Sequence, residues 1–263
     1  MFGLARQKGV GLHCMNTPII EVKSLSFAYE QTLPILKAIS FTAQKGESIG
    51  LVGANGAGKS TLLKLLVGLE FPTQGTISMI NLSLNKKNLP LIRQKTGYVF
   101  QDSNSQLFMS NIYEDVSFAP RNYLLSQEEV DVRVKAALTQ VQLWELKDKQ
   151  IYKLSGGEKK LASIATILSM NPDIILMDEP SAALDPKNRR NLIHILNELP
   201  QTKLIASHDL DFILDTCSRV ILLSHGSLVA DGAACEILVN RALLEENSLE
   251  LPLSFTRTYQ PPL

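Results

Sequence analysis

The sequence is poor in the features that mark secreted, membrane-spanning or nucleic-acid-coating chains. Cysteine is scarce: Cys14, Cys217 and Cys235 are far apart, odd in number and without CxxC pairing, so no disulfide framework or zinc site is indicated and reduced thiols are expected. Histidine numbers four, with no cluster at ligand spacing. Neither sign of charge dominates. Lys plus Arg and Asp plus Glu each total 26, a formal net charge of zero that argues against a nucleic acid as the main partner. No stretch approaches the ~18 uninterrupted apolar residues of a spanning helix, and the opening MFGLARQKGVGLHCMNTP lacks the apolar segment of a signal peptide, so a cytoplasmic chain is expected. Internal repeats and low-complexity tracts are also missing, which predicts one unit and not a tandem pair.

What is present suits a globular protein: 263 residues, 45% of them hydrophobic, can bury one sizeable core or a core with a smaller lobe. Residues 1–17, with Met15 just before the first strand pattern, are expected to form a mobile extension or an over-called start. Strand patterns then alternate with helical ones, the signature of an α/β domain with a largely parallel sheet. Ile19 to Phe27 and Ile39 to Ala43 read as an antiparallel flap, and SIGLVG at 48–53 as a buried strand ending in glycine. A helix is predicted from Lys59, with Leu62, Leu63, Leu65, Leu66 and Leu69 facing the sheet, Gly68 near its end and Pro72 beyond. Later strands are read at Thr96 to Phe100, Ile174 to Asp178, Lys203 to Ser207 and Arg219 to Ser224. Between Gln101 and Met170 the strand signal vanishes. There Ser126 and Glu129 predict a capping box, and Val130, Val134, Ala137, Leu138 and Val141 trace one helical face, so this segment reads as an inserted helical lobe. The expected division is an extension at 1–17, a domain at 18–240 whose core (18–100 and 171–240) brackets the lobe at 101–170, and a tail at 241–263.

The strongest local signal is GANGAGKS at 53–60, followed by Thr61, which fits the phosphate-loop pattern G-x-x-x-x-G-K-[ST] between a buried strand and an amphipathic helix. Gly53, Gly56 and Gly58 let the backbone turn left-handed, so that amides along Ala54, Asn55 and Ala57 face phosphate oxygens at the helix N-terminus. Lys59 is expected to reach the β and γ phosphates, the Ser60 hydroxyl to bind Mg2+, and Thr61 to bind the α phosphate. The loop by itself identifies only a nucleoside triphosphate binder.

A second motif, LSGGEKK at 154–160, sets Ser155, Gly156, Gly157 and Glu158 at the start of another helix, a second anion-binding geometry. In order behind the phosphate loop and ahead of IILMDEPSAALD at 174–185, it resembles the signature motif of the ABC ATPase family. The resemblance covers roughly residues 19 to 240. It implies a RecA-like, mostly parallel sheet core with an N-terminal antiparallel β flap and a helical lobe, ATP with Mg2+ as cofactors, and hydrolysis to ADP and phosphate. By the same resemblance, Asp178 would hold Mg2+ through water and Glu179 would act as general base. Gln101, ending the YVFQ strand, matches a glutamine that touches Mg2+ and water. His208 in IASHD matches a histidine that contacts the γ phosphate, Tyr29 in FAYE an aromatic that stacks on adenine, and Asp185 a residue that crosses a dimer interface. The other histidines, His13, His194 and His225, are expected to be structural or exposed.

More narrowly, QDSNSQLF at 101–108, EDVSFAP at 114–120 and the C-terminal SRVILLSHGSLVADG and LLEENSLELPLS resemble the ATPase subunits of energy-coupling-factor importers of transition metals and vitamins. This implies a second ATPase subunit, with a homodimer expected, an integral membrane coupling protein, a substrate-binding membrane protein, and a peripheral position on the cytoplasmic face of the membrane. The cargo reading is cobalt or nickel, with biotin or another vitamin as the near alternative and an exporter subunit as the more distant one. No direct contact with cargo is expected. Departures from the family pattern are Glu158 where many relatives have glutamine, Leu161 where arginine is common, and Ala119 where glycine is usual.

Overall fold

The computed structural model describes residues 17–30, 33–182 and 184–256. The expectation for the N-terminal extension falls almost entirely outside them, as do Cys14 and His13.

Among the described residues ten strands form two sheets. Strands β1 (Ile20–Phe27), β2 (Leu36–Ala43), β4 (Gln74–Met79) and β5 (Leu82–Ser83) make an antiparallel sheet in the order β2-β1-β4-β5. The flap predicted as two strands therefore has four, because the polar QGTISM of β4 and the two residues of β5 carry little hydrophobic alternation. The larger sheet contains β3 (Ser48–Val52), β6 (Thr96–Val99), β7 (Ile174–Asp178), β8 (Thr202–Ala206), β9 (Arg219–Ser224) and β10 (Ser227–Ala233), in the order β10-β9-β3-β8-β7-β6. All its pairs are parallel except β9 with β10. β7 and β8 are buried at every position, as expected of strands covered on both faces.

Helix α1 (Lys59–Leu66) is shorter than the sequence predicted. Gly68, at φ 69°, donates to Leu65 O and Leu69 N donates to Lys64 O, a Schellman ending. Leu69 thus falls past the helix and is exposed, correcting its expected core position. Helix α2 (Leu89–Lys95), unmarked by periodicity in the sequence, leads into β6.

The lobe is built from α3 (Ile112–Asn122), α4 (Gln127–Gln140) and α5 (Gly156–Leu168). Val130, Val134, Ala137, Leu138 and Val141 are all buried, the last just beyond α4. The box expected at its start is half formed: Ser126 Oγ accepts from Glu129 N at 3.3 Å, but the Glu129 carboxylate turns outward to Arg133 at 2.7 Å. An i,i+4 arginine competes successfully for the carboxylate at an exposed N-terminus.

The lobe shares one apolar cluster with a face of the parallel sheet and with α6 (Pro186–Glu198) and α7 (Leu210–Thr216), while α1 and the antiparallel sheet pack on the other face. Gly97 marks how closely α5 approaches β6: a Cβ there would meet Ile167 Cγ2 at 1.7 Å. The described residues close with three short helices, α8 (Ala234–Ile237), α9 (Arg241–Glu246) and α10 (Leu253–Thr256). No helix among the described residues is long and apolar enough to cross a membrane. Cys217 is buried, which pushes its thiol up to about 12, and Cys235 is exposed; both are free.

Candidate functional site

Parallel strands deliver their C-terminal ends to one edge, and the sheet order turns sequence-distant motifs into neighbours. Leu51 of β3 pairs with Ala206 of β8, Ala206 with Asp178 of β7, and Met177 with Val99 of β6. The residues following these pairs are Gly53, Ser207 and His208, Glu179, and Phe100 with Gln101. Loops at this edge of an open α/β sheet are where ligands bind. A cavity of about 630 Å³ opens there, lined by residues 53–61, Gln101, Glu179 and His208, together with Ile35, Ser248 and Leu249.

The phosphate loop has the backbone its glycines predict. Gly53, Gly56 and Gly58 take φ values of 153°, 80° and 102°. Gly58 caps α1 without a side chain, and the first turn contains no acid, so the positive end of the helix is left unneutralised. Lys59 lies in the loop with Nζ donating to Gly53 O at 2.6 Å and Ala54 O at 3.2 Å. Burial pulls its pKa down, against the opposing pull of the Glu179 and Asp178 carboxylates.

Ser60 Oγ donates to Asp178 Oδ1 at 2.9 Å, which joins α1 to the end of β7. Burial raises the Asp178 pKa; the Ser60 hydrogen bond works against that, and the neighbouring Glu179 charge adds to it. Tyr98, unremarked in the sequence, reaches the same carboxylate at 3.4 Å from β6.

Glu179 adopts φ 47° although it is not glycine, a strained conformation of the kind found at functional sites. Its buried carboxylate gathers the end of β8: Oε2 accepts from Ser207 Oγ at 3.1 Å and His208 N at 3.3 Å, and lies 2.8 Å from His208 Nδ1. The imidazole is otherwise open, with 65% of its side chain exposed. Behind it Asp209 N donates to Ser207 Oγ, and the Asp209 carboxylate takes a bidentate pair from Arg189 at 2.8 and 3.1 Å. Burial pushes the Asp209 carboxyl up, and Arg189 together with the Phe212 amide and His208 more than reverses it, leaving it below the usual carboxylate range. Neither Arg189 nor Asp209 carries a sequence signal beyond proximity to a motif.

Gln101 is held from α5. Lys160 Nζ donates to Phe100 O at 3.1 Å and Gln101 O at 2.8 Å. Gln106 accepts from Phe100 N and donates to Ser163 O and Thr166 Oγ1. Lys160 is buried, so Lys160→Met should leave two part-buried carbonyls short of a donor and lower unfolding free energy by about 1–2 kcal/mol, read as a drop in urea midpoint. Lys160→Arg should recover part of the loss; a midpoint unchanged in Lys160→Met would show that the tie carries no stability.

The remaining residues of interest stand apart from the cavity. At the start of α5, Ser155 accepts from Glu158 N and the Glu158 carboxylate accepts from Ser155 N, a complete capping box. Ser155 and Gly156 are exposed. Asp185 caps α6, accepting from Lys187 N, Asn188 N and Asn188 Nδ2. Tyr29 is 55% exposed and meets Phe27 edge-on at 4.8 Å, outside the cavity lining. His194 and His225 are exposed.

A phosphate loop, an Asp-Glu strand end and a histidine loop on one edge of a RecA-like sheet, with a signature helix in an adjoining helical lobe, define a nucleotide-hydrolysing cassette. Residues 36–182 match the family model described as ABC transporter. An ABC transporter ATP-binding protein, so named in Geobacter sulfurreducens, is 45% identical over 240 residues, 91% of this chain and 96% of that one. The energy-coupling factor transporter ATP-binding protein EcfA of Carboxydothermus hydrogenoformans is 41% identical over 237 residues, 89% of this chain and 87% of that one. Among solved structures, CbiO1 of Clostridium perfringens, part of the ABC transporter complex CbiONQ, matches with a TM-score of 0.80 at 34% identity, covering 87% of this chain and 94% of that one. The cassette MJ0796, a dimer in a post-hydrolysis state with ADP and Pi, matches with a TM-score of 0.75 at 27% identity, covering 82% and 98%. The chain belongs to the ABC transporter family, as an ATP-binding subunit whose ATPase activity is coupled to transport.

Proposed function

We propose that the chain is the motor of an energy-coupling-factor importer, works as a homodimer on the cytoplasmic face of the membrane, and drives uptake of a divalent transition metal, cobalt or nickel. The observation that carries the dimer is the separation of two anion-binding helix starts: α1 opens into the cavity, while Ser155 and Gly156 face solvent outside its lining. A facing subunit would bring its Ser155, Gly156 and Gly157 over the γ phosphate held by Lys59 and the loop, with Asp185 crossing the interface and Tyr29 stacking on adenine. ATP is then the joint between two copies.

Within the site, Glu179 takes a proton from water as its oxygen attacks the γ phosphorus and the bond to ADP breaks, giving ADP and phosphate. His208, poised on the Glu179 carboxylate, orients the water and touches the γ phosphate. The paired Ser60 hydroxyl and Asp178 carboxylate are hard oxygen donors that fit Mg2+, with Gln101 completing the set. When bound, the ion would screen charge on the phosphates.

The lobe would carry the stroke outward. Phe108 and Phe118, in edge-on contact at 5.0 Å and both exposed, line a groove of about 270 Å³ with Phe100, Gln106 and Met170. This groove is the proposed seat for the membrane coupling protein. Gln101 faces the nucleotide cavity and Phe100, one residue earlier, the groove.

The importer reading is supported by segments 101–108 and 114–120 and by the similarity to EcfA and CbiO1. The metal reading rests on the C-terminal resemblance to modules that use one ATPase as a homodimer, and metal selection would lie in the substrate-binding membrane partner. Uptake of labelled nickel, cobalt and biotin in cells with and without this chain tests it. Loss of nickel or cobalt uptake is expected, and a loss confined to biotin would replace the metal with a vitamin.

A further inference from the structure

The motif at the start of α5 carries an acid at its fifth position, Glu158. Glu158 adds a negative charge to a helix N-terminus that, on the dimer reading above, must receive the γ phosphate of the facing subunit. A carboxylate at the third helical position opposes an incoming anion twice. It offsets the positive end of the helix, and it occupies Ser155 N, to which it is bonded at 2.7 Å. The structure supplies a counterweight from the preceding loop. Lys149 Nζ donates to both Glu158 oxygens, each at 2.9 Å, and the side chains are 31% and 25% exposed.

Lys149 is held in place by its backbone, donating to Leu146 O and accepting from Ile112 N, so its ammonium approaches from a fixed direction. Burial works to raise the Glu158 carboxyl, and Lys149 with the Ser155 amide more than reverses that, so the group is ionised whenever the protein works near neutral pH. The Lys159 ammonium, the next cation along the helix, is committed elsewhere, to Asn104 Oδ1 at 2.8 Å.

We propose that Lys149 is a positioning and charge-balancing residue for the ATP-bridged dimer: it neutralises and orients Glu158 so that Ser155 and the two glycines can accept the γ phosphate of the facing subunit. This rests on the composite-site reading above and goes beyond it by assigning a role to a lysine outside every motif. Its electrostatic character separates it from packing.

The test is a double-mutant cycle in the full-length chain with its membrane partners, comparing Lys149→Met, Glu158→Gln and the double variant. Lys149→Met should raise the ATP concentration for half-maximal hydrolysis by roughly two- to fivefold, the range set by a single charge at a helix terminus. The loss should shrink as salt rises from 50 to about 500 mM, because screening weakens the uncompensated carboxylate. In the Glu158→Gln background the same Lys149→Met change should have little effect. Binding of a fluorescent ATP analogue to the isolated subunit, which reads the phosphate loop alone, should be unaltered by Lys149→Met. A Lys149→Met variant with wild-type ATP dependence would overturn the inference alone, as would an equal loss with Glu or Gln at 158. A wild-type chain that does not dimerise on ATP would overturn the composite site and this inference with it.

Discussion

Glu179→Gln should bind ATP, stop turning it over and accumulate as an ATP-bound dimer. The substitution removes the proton acceptor and little else. Glu179 Oε2 now accepts from Ser207 Oγ and His208 N, and a glutamine amide oxygen can accept both. The strained backbone at φ 47° is held by Glu179 N donating to Ala206 O, which the substitution leaves alone. Loss of a general base costs on the order of 10² to 10⁴ in turnover, so steady-state ATPase activity in the reconstituted complex should fall by at least about 10². Size exclusion with Mg-ATP should then show a dimer that wild type forms only transiently. Near-normal hydrolysis would remove Glu179 from the role of base.

How much of this was legible beforehand depended on whether the signal was local. The phosphate loop could be read residue by residue because its backbone demands glycine at φ values of 80° and 102°, and few other residues satisfy that. The buried strand β7 announced itself by the apolar run Ile174 to Met177, and β7 and β9 match their predicted bounds. Elements whose reason for existing lies elsewhere in the chain left no such mark. β4 is a strand because Thr76 to Met79 pair with β1, and Leu69 leaves α1 because Gly68 turns left-handed one residue earlier.

The supporting residues of the site were illegible for a similar reason. Lys160, Lys149, Arg189 and Tyr98 act on groups brought to them by the fold: Lys160 spans 59 residues to Gln101, and Tyr98 spans 80 to Asp178. A lysine within a helix reads as a solvated surface residue, yet Lys160 is 3% exposed. The two capping boxes make the same point. Ser126 with Glu129 and Ser155 with Glu158 share one pattern, and the second alone closes, because Lys149 steers its carboxylate inward while Arg133 draws the other away.

Two individually inactive variants should restore each other when mixed. Lys59→Ala removes the ammonium from the loop, and Gly156→Asp puts a carboxylate where the facing γ phosphate would arrive. Gly156 is the right position for the second change. A Cβ there meets nothing within 4 Å, so aspartate enters without disturbing α5, whereas at Gly157 a Cβ would meet Asn188 Nδ2 at 2.4 Å. Any loss in Gly156→Asp can therefore be charged to the interface and not to folding. In a homodimer of either variant both composite sites are damaged. In the mixed dimer one site collects both lesions, and the other pairs the intact loop of the Gly156→Asp subunit with the intact signature helix of the Lys59→Ala subunit. Equal mixing makes about half of the dimers mixed, each with one good site of two, so independent sites would return roughly a quarter of wild-type ATPase activity. Co-expression with two affinity tags, purified sequentially, isolates the mixed dimer and raises the expectation to about half. Activity no better than either parent, in a preparation shown to contain both tags, would rule out the site shared between subunits.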